Sequence, residues 1–163
     1  MKKIASTLLI CCLLFLLQGC NDGVINIQST NLSHILIDNI SIGDSIKNIN
    51  LDKYTKGERY SGDYEYLFNE IVIGEDESNN TVDYIFSRFD EDYTVISVNG
   101  NKELNNIEDI SKLLGYSYNE QLEDKEQGLK SRIYYDTMRN IKSEFVYLSY
   151  DESLCWIEVS RLK

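Results

Sequence analysis

The chain has 163 residues, 16 of them Lys or Arg against 27 Asp or Glu, for a net charge of −11. A surface this acidic repels phosphate backbones and anionic headgroups, which excludes nucleic acid as a partner and leaves no basic patch to hold a membrane. The length suits one domain of ordinary size with its own core.

The N-terminus begins Met1-Lys2-Lys3, runs apolar from Ile4 to Leu17, and closes on Leu17-Gln18-Gly19-Cys20. A positive start and an apolar stretch shorter than the roughly 20 residues of a spanning helix make an export signal. The tetrapeptide resembles a bacterial lipoprotein signal. That resemblance implies removal of residues 1–19, acylation of Cys20 on its sulfur and new amino group, and anchoring at the extracytoplasmic face of the cell membrane, or of the outer membrane in a Gram-negative cell. The loss of Lys2 and Lys3 with no acid leaves 144 residues at a net charge of −13. Cys11 and Cys12 leave too and Cys20 carries lipid, so Cys155 is the single remaining thiol and no internal disulfide is expected.

Residues 20–33 are polar and aperiodic and read as a lipidated flexible tether, with a single domain over 34–163. Ile35-Leu36-Ile37 predicts a strand and Asp38-Asn39 a turn. Ile42, Ile46 and Ile49 stand at helical spacing behind Asp44 and Ser45 as caps, and predict a short amphipathic helix. Strands are predicted over 64–68, 70–73 and 81–89, the last two joined by the polar turn 75–80. A strand over 93–98 and a turn at Asn99-Gly100 come next. Then Ile107, Ile110, Leu113 and Leu114 mark a helix, with Asn105 and Glu108 spaced as a capping box and Gly115 as its stop. Ser117 to Gln127 reads either as one extra helical turn or as a charged loop, and strands over 132–135, 144–150 and 155–162 complete the chain.

The two halves match in order and in detail. Val82, Tyr84, Phe86 and Arg88 correspond, 73 residues on, to Cys155, Ile157, Val159 and Arg161, and Asp76-Glu77-Ser78 is echoed by Asp151-Glu152-Ser153. Equal parity would put each apolar stripe, Tyr84 and Phe86 with Ile157 and Val159, on one inward sheet face. The expectation is an α+β fold of two degenerate repeats, about 34–92 and 93–163, each a short helix plus an antiparallel β meander. Ile42-Gly43-Asp44 opening one helix, Leu113-Leu114-Gly115 closing the other, and the aromatic meanders after each resemble the tandem helix-plus-sheet exported proteins, such as beta-lactamase inhibitory proteins and outer-membrane assembly lipoproteins. That resemblance implies protein binding rather than catalysis.

Candidate chemistry is sparse. His34 is the only histidine, which leaves no Ser-His-Asp or zinc constellation, and no cofactor or metal is expected. Cys155 reads as a small core residue. The acidic turns 75–80 and 90–92 lack the spacing and central glycine of a calcium loop. Arg88 and Arg161 read as rim arginines at equivalent ends of apolar faces. Twelve tyrosines accompany one tryptophan, and Tyr116, Tyr118 and Tyr147, with Tyr60 behind them, are expected opposite the core stripe or in connections as partner-binding residues. Function therefore points to an extracytoplasmic lipoprotein that binds a protein, and the acidic charge favours a basic one. An immunity or exclusion factor against a toxin or phage, and a small carboxylate-dependent envelope hydrolase, are the alternatives.

Overall fold

A computed structural model describes residues 28–57, 66–89 and 94–162. The signal segment, Cys20, Tyr60, the start of the strand predicted over 64–68, the acidic run 90–92 and Tyr93 lie outside the described residues.

The described fold is mixed and mostly β, with nine antiparallel strands and one α-helix. In chain order these are β1 (Ile35–Ile37), β2 (Tyr66–Leu67), β3 (Ile71–Asp76), β4 (Thr81–Arg88), β5 (Ile96–Val98), α1 (Ile107–Leu114), β6 (Asn119–Asp124), β7 (Leu129–Asp136), β8 (Ile141–Leu148) and β9 (Leu154–Arg161). β1 and β5 form a two-stranded ribbon, and the rest form a seven-stranded sheet in the order β2-β3-β4-β9-β8-β7-β6. Two meanders therefore meet edge to edge through β4 and β9. The ribbon, α1 and the 3-10 turns all contribute to one core cluster with one face of the sheet, through Ile37, Val98, Ile107 and Ile110 against Ile73, Ile85, Phe145 and Ile157.

Local chemistry explains the elements the sequence placed correctly. Asp38 and Asn39 both have positive φ, as does the pair Asn99-Gly100, so each closes a tight turn of the kind these residues favour. Asn106 caps α1 by accepting the Asp109 N–H, one residue later than the box predicted, while the Asp109 carboxylate accepts the Asn105 N–H. Gly115, at φ +90°, ends the helix as expected.

The helix predicted over Ile42–Ile49 does not form. Gly43 takes φ +94°, and the backbone around it is committed elsewhere: Gly43 N–H donates to the Val82 carbonyl, Val82 N–H to Asp44, and Ile46 N–H to Asn80. Bonds lost to β4 cannot form a helical ladder, and only the 3-10 turns Ile46–Asn48 and Leu51–Lys53 remain. Two helix-plus-meander repeats are accordingly not what is seen. The second half also carries an extra strand, β6, where the sequence suggested a helical turn or a loop.

The predicted face parity is overturned by a β-bulge. Gly74 pairs with Tyr84 and Glu75 with Val82, which leaves Asp83 unpaired and turns both Val82 and Ile85 inward. Ile85 stands opposite Val159 and Ser87 opposite Ile157, so Tyr84 and Phe86 face the other way. The same bulge recurs at Cys155, between the pairs Val146–Trp156 and Tyr147–Leu154. Pairs of the two hairpins coincide at an offset of 72 rather than 73: Ile73–Ile85 with Phe145–Ile157, and Glu75–Val82 with Tyr147–Leu154. Cys155 is therefore a half-buried bulge residue and not part of the core stripe. Arg88, opposite Trp156, and Arg161, opposite Ile141, lie on opposite faces.

The domain also takes up residues expected to belong to the tether. Thr30 N–H donates to the Tyr135 carbonyl at 2.8 Å, Leu32 is 2% exposed, and the Leu32 N–H donates to Asp136 at 3.1 Å.

Candidate functional site

The three tyrosines singled out by the sequence separate. Tyr147 lies on the inward face of β8, is 4% exposed, and donates its hydroxyl to Glu120 at 2.7 Å. Burial, then the Glu120 carboxylate, push its phenol well above the ordinary range. Tyr118 is half-buried, its ring 5.6 Å from that of Tyr134. Tyr116 alone is open, at 67%. The expectation that Tyr147 faces away from the core fails because β8 turns Ile141, Ser143, Phe145 and Tyr147 inward in plain alternation, with Lys142, Glu144 and Val146 on the outer face.

Tyr118 and Tyr147 instead flank Arg132, a residue the sequence did not mark. Its guanidinium sits 4.5 Å from the Tyr118 ring centre and 5.7 Å from that of Tyr147. It is 7% exposed on β7, pairs with Glu108 of α1 at 2.7 Å, donates to the Ser111 hydroxyl at 2.6 Å, and lies 3.5 Å from Glu120. Ser111 also shares a hydrogen bond with the hydroxyl of Tyr134, whose phenol burial raises to about 12. The buried Arg132 charge is paired with two carboxylates at the margin of the core, and the cluster clamps the helix to the sheet. The two rings pack on the guanidinium, whose Nε is buried without a hydrogen-bond partner, and this leaves Tyr118 and Tyr147 committed to Arg132. No sequence signal separates Arg132 from the other polar residues of β7.

The opposite face of the sheet is arranged in rows across the strands. One row runs Val72, Phe86, Glu158, Glu144, Ile133, with each residue directly paired to the next. The adjoining rows are Tyr84, Ser160, Lys142, Tyr135 on one side and Arg88, Trp156, Val146, Ser131 on the other. Val72, Phe86, Ile133 and Val146 are buried yet belong to no part of the core under α1. Two carboxylates thus stand side by side in an apolar and aromatic setting. Lys142 pairs with Glu144 at 3.0 Å, while burial, then the neighbouring Glu144, raise the Glu158 carboxyl. A depression of about 390 Å³ opens beside them, bordered by Tyr84, Lys142, Glu158 and Ser160. The sequence reading missed this face because the bulge turned Phe86 to the side opposite Val82, where register sets it beside Glu158.

His34 is exposed, and its carbonyl accepts from the Asn99 N–H. Asp76 accepts from the Ser78 and Asn79 side chains, and Asp151 from Ser153, so both acidic turns satisfy their own carboxylates and hold them below the ordinary range. Among the described residues no group of three or more His, Cys, Asp or Glu is placed to hold a metal ion, and no helix is long and apolar enough to cross a membrane. Comparison with protein-family models, curated proteins and solved structures finds no match.

Proposed function

We propose that the chain is a lipid-anchored, extracytoplasmic binding module of the bacterial cell envelope, held through Cys20, that receives a positively charged segment of a partner protein on the outer face of its sheet. The observation that carries this reading is the Glu144–Glu158 pair, one carboxylate directly opposite the other on β8 and β9. Like charges at paired positions destabilise a sheet, Lys142 offsets that cost only in part because the Glu158 carboxyl stays raised, and a cation from a partner relieves the remainder. Trp156 and Tyr135, half-buried in the adjoining rows, supply contact area at low entropy cost. A net charge of −13 on the processed chain speeds the encounter with a basic surface. An immunity or exclusion lipoprotein is the special case in which that partner is a toxin or phage protein.

Site-specific photo-crosslinking in intact cells tests the reading. A photoreactive side chain in place of Trp156 is expected to give a protein adduct that the same group in place of Glu126 does not. Reversing Glu144 and Glu158 to Lys is expected to lower its yield and flatten its salt dependence. An adduct indifferent to both changes and to salt sinks the proposal.

The carboxylate-dependent hydrolase draws on the same pair, since Glu158 is raised and its neighbour Glu144 is paired with Lys142, giving unlike environments to two acids. Turnover of an envelope glycan that disappears in Glu158→Gln, with the partner adduct unchanged, would favour that alternative.

We infer as well that the two hairpins descend from a tandem duplication in which the first copy lost its helix. The coincident bulges at Asp83 and Cys155 support it, because an unpaired residue at one fixed register position is a specific feature and not a consequence of alternation.

A further inference from the structure

We propose that the surface formed by Tyr116 and Met138 rests in the headgroup layer of the bilayer that carries the Cys20 lipid, so that the domain stands on the membrane in one orientation. This rests on the lipid anchor of the preceding proposal. Gln28 to Leu32 runs over the domain between two exposed apolar side chains. On one side the Ser117 hydroxyl donates to the Gln28 carbonyl at 3.4 Å, next to Tyr116 at 67% exposure. On the other the Thr137 N–H donates to the Ser29 hydroxyl at 3.0 Å, next to Met138 at 88% exposure. A cleft of about 700 Å³ lies between the chain here and the end of α1, lined by Gln28, Asn31, Leu114 and Tyr116.

Seven residues lie between Cys20 and Gln28, and the eight steps from one to the other reach at most about 29 Å even when fully extended. A lipid fixed so close to this end keeps it in repeated encounter with the bilayer, at a high effective concentration. A tyrosine, apolar in its ring and polar at its tip, suits the interface, and an unbranched methionine at a turn tip can enter it without disturbing the fold. The nearby cations are already engaged, Lys112 with Asp109 at 3.2 Å and Arg139 with Asp136 at 3.1 Å. The contact is therefore apolar, and salt, which screens the repulsion between this acidic chain and anionic lipid, should not weaken it.

The test uses the full lipoprotein, extracted from cells and reconstituted on phosphatidylethanolamine and phosphatidylglycerol vesicles. Nitroxide labels go on Tyr116→Cys, Met138→Cys or Glu126→Cys, each in a Cys155→Ser background. The expected result is that labels at 116 and 138 become several-fold less accessible to a water-soluble nickel chelate and more accessible to dissolved oxygen, at low and high salt alike, while the label at 126 does not change. Amide exchange on the unaltered chain, slowed by vesicles at residues 116–117 and 137–139, gives the same reading without substitutions. A chain that floats with the vesicles but shows none of these changes overturns the orientation and leaves the anchor standing. A chain that does not float, with an unmodified Cys20, overturns both.

Discussion

Asp136 on β7 accepts the backbone N–H of Leu32, a residue 104 positions earlier, and so joins the first described segment to the sheet. The same carboxylate takes the Arg139 N–H and guanidinium, and is almost wholly buried. Asp136→Asn keeps the shape but removes the charge and one acceptor. A loss of about 1–3 kcal/mol is expected in urea unfolding, with faster amide exchange at Leu32. Unchanged exchange at Leu32 would show that the strap is held by its side chain alone.

Acid should act on the fold through carboxylates of opposite sign. Burial alone would raise Asp136, but the bonds from Leu32 and Arg139 outweigh it and hold the carboxyl below its usual 3.8. Glu120 is held below 4.5 chiefly by the Tyr147 hydroxyl. Both contribute stability that is present above the unfolded-state values and is lost as pH falls through the depressed folded ones. Glu158 is raised, so its charged form weakens the fold at neutral pH, and protonation removes that cost as pH falls through the raised value. Glu158→Gln is therefore expected to stabilise the chain at pH 7 and to have little effect near pH 3, measured as thermal midpoints across that range.

The Arg132 cluster predicts a strong asymmetry between substitutions. Arg132→Ala strands Glu108 and empties the space between the Tyr118 and Tyr147 rings, and should cost about 3–5 kcal/mol. Arg132→Met with Glu108→Gln removes both charges while keeping most of the volume, and should cost much less. A double-mutant cycle on Arg132 and Tyr118 should return a coupling of about 0.5–2 kcal/mol.

Strand parity can be read from the core itself. Ile85→Ala and Ile157→Ala should each cost about 2–5 kcal/mol, because both side chains are fully buried in the cluster beneath α1. Trp156→Ala, from the half-buried outer face, should cost less than either and act on partner capture. Equal losses at all three positions would contradict the bulge at Asp83.

The sequence by itself determined the elements whose cause is local. Type-specific turn residues fixed Asp38-Asn39 and Asn99-Gly100, a 3.6-residue apolar period and Gly115 fixed α1, and β-branched runs fixed β4 and β9 and the start of β3 to within a residue. The acidic charge and the lipobox pattern were likewise legible without a fold. Only tertiary structure decided the rest. The isoleucines of 42–49 have helical spacing, but the backbone of Gly43, Asp44 and Ile46 bonds to Val82 and Asn80 instead, so pattern yielded to pairing. Asn119–Asp124 has no strand signature and became β6 because the edge of β7 offered it a ladder. One unpaired residue at Asp83 put Tyr84 and Phe86 on the face opposite Val82, and the continuous apolar run Tyr84-Ile85-Phe86 fits either parity, so the sequence does not choose between them. Arg132 and the Glu144–Glu158 pair depend on register across strands far apart in the chain, which composition and spacing along one strand do not encode.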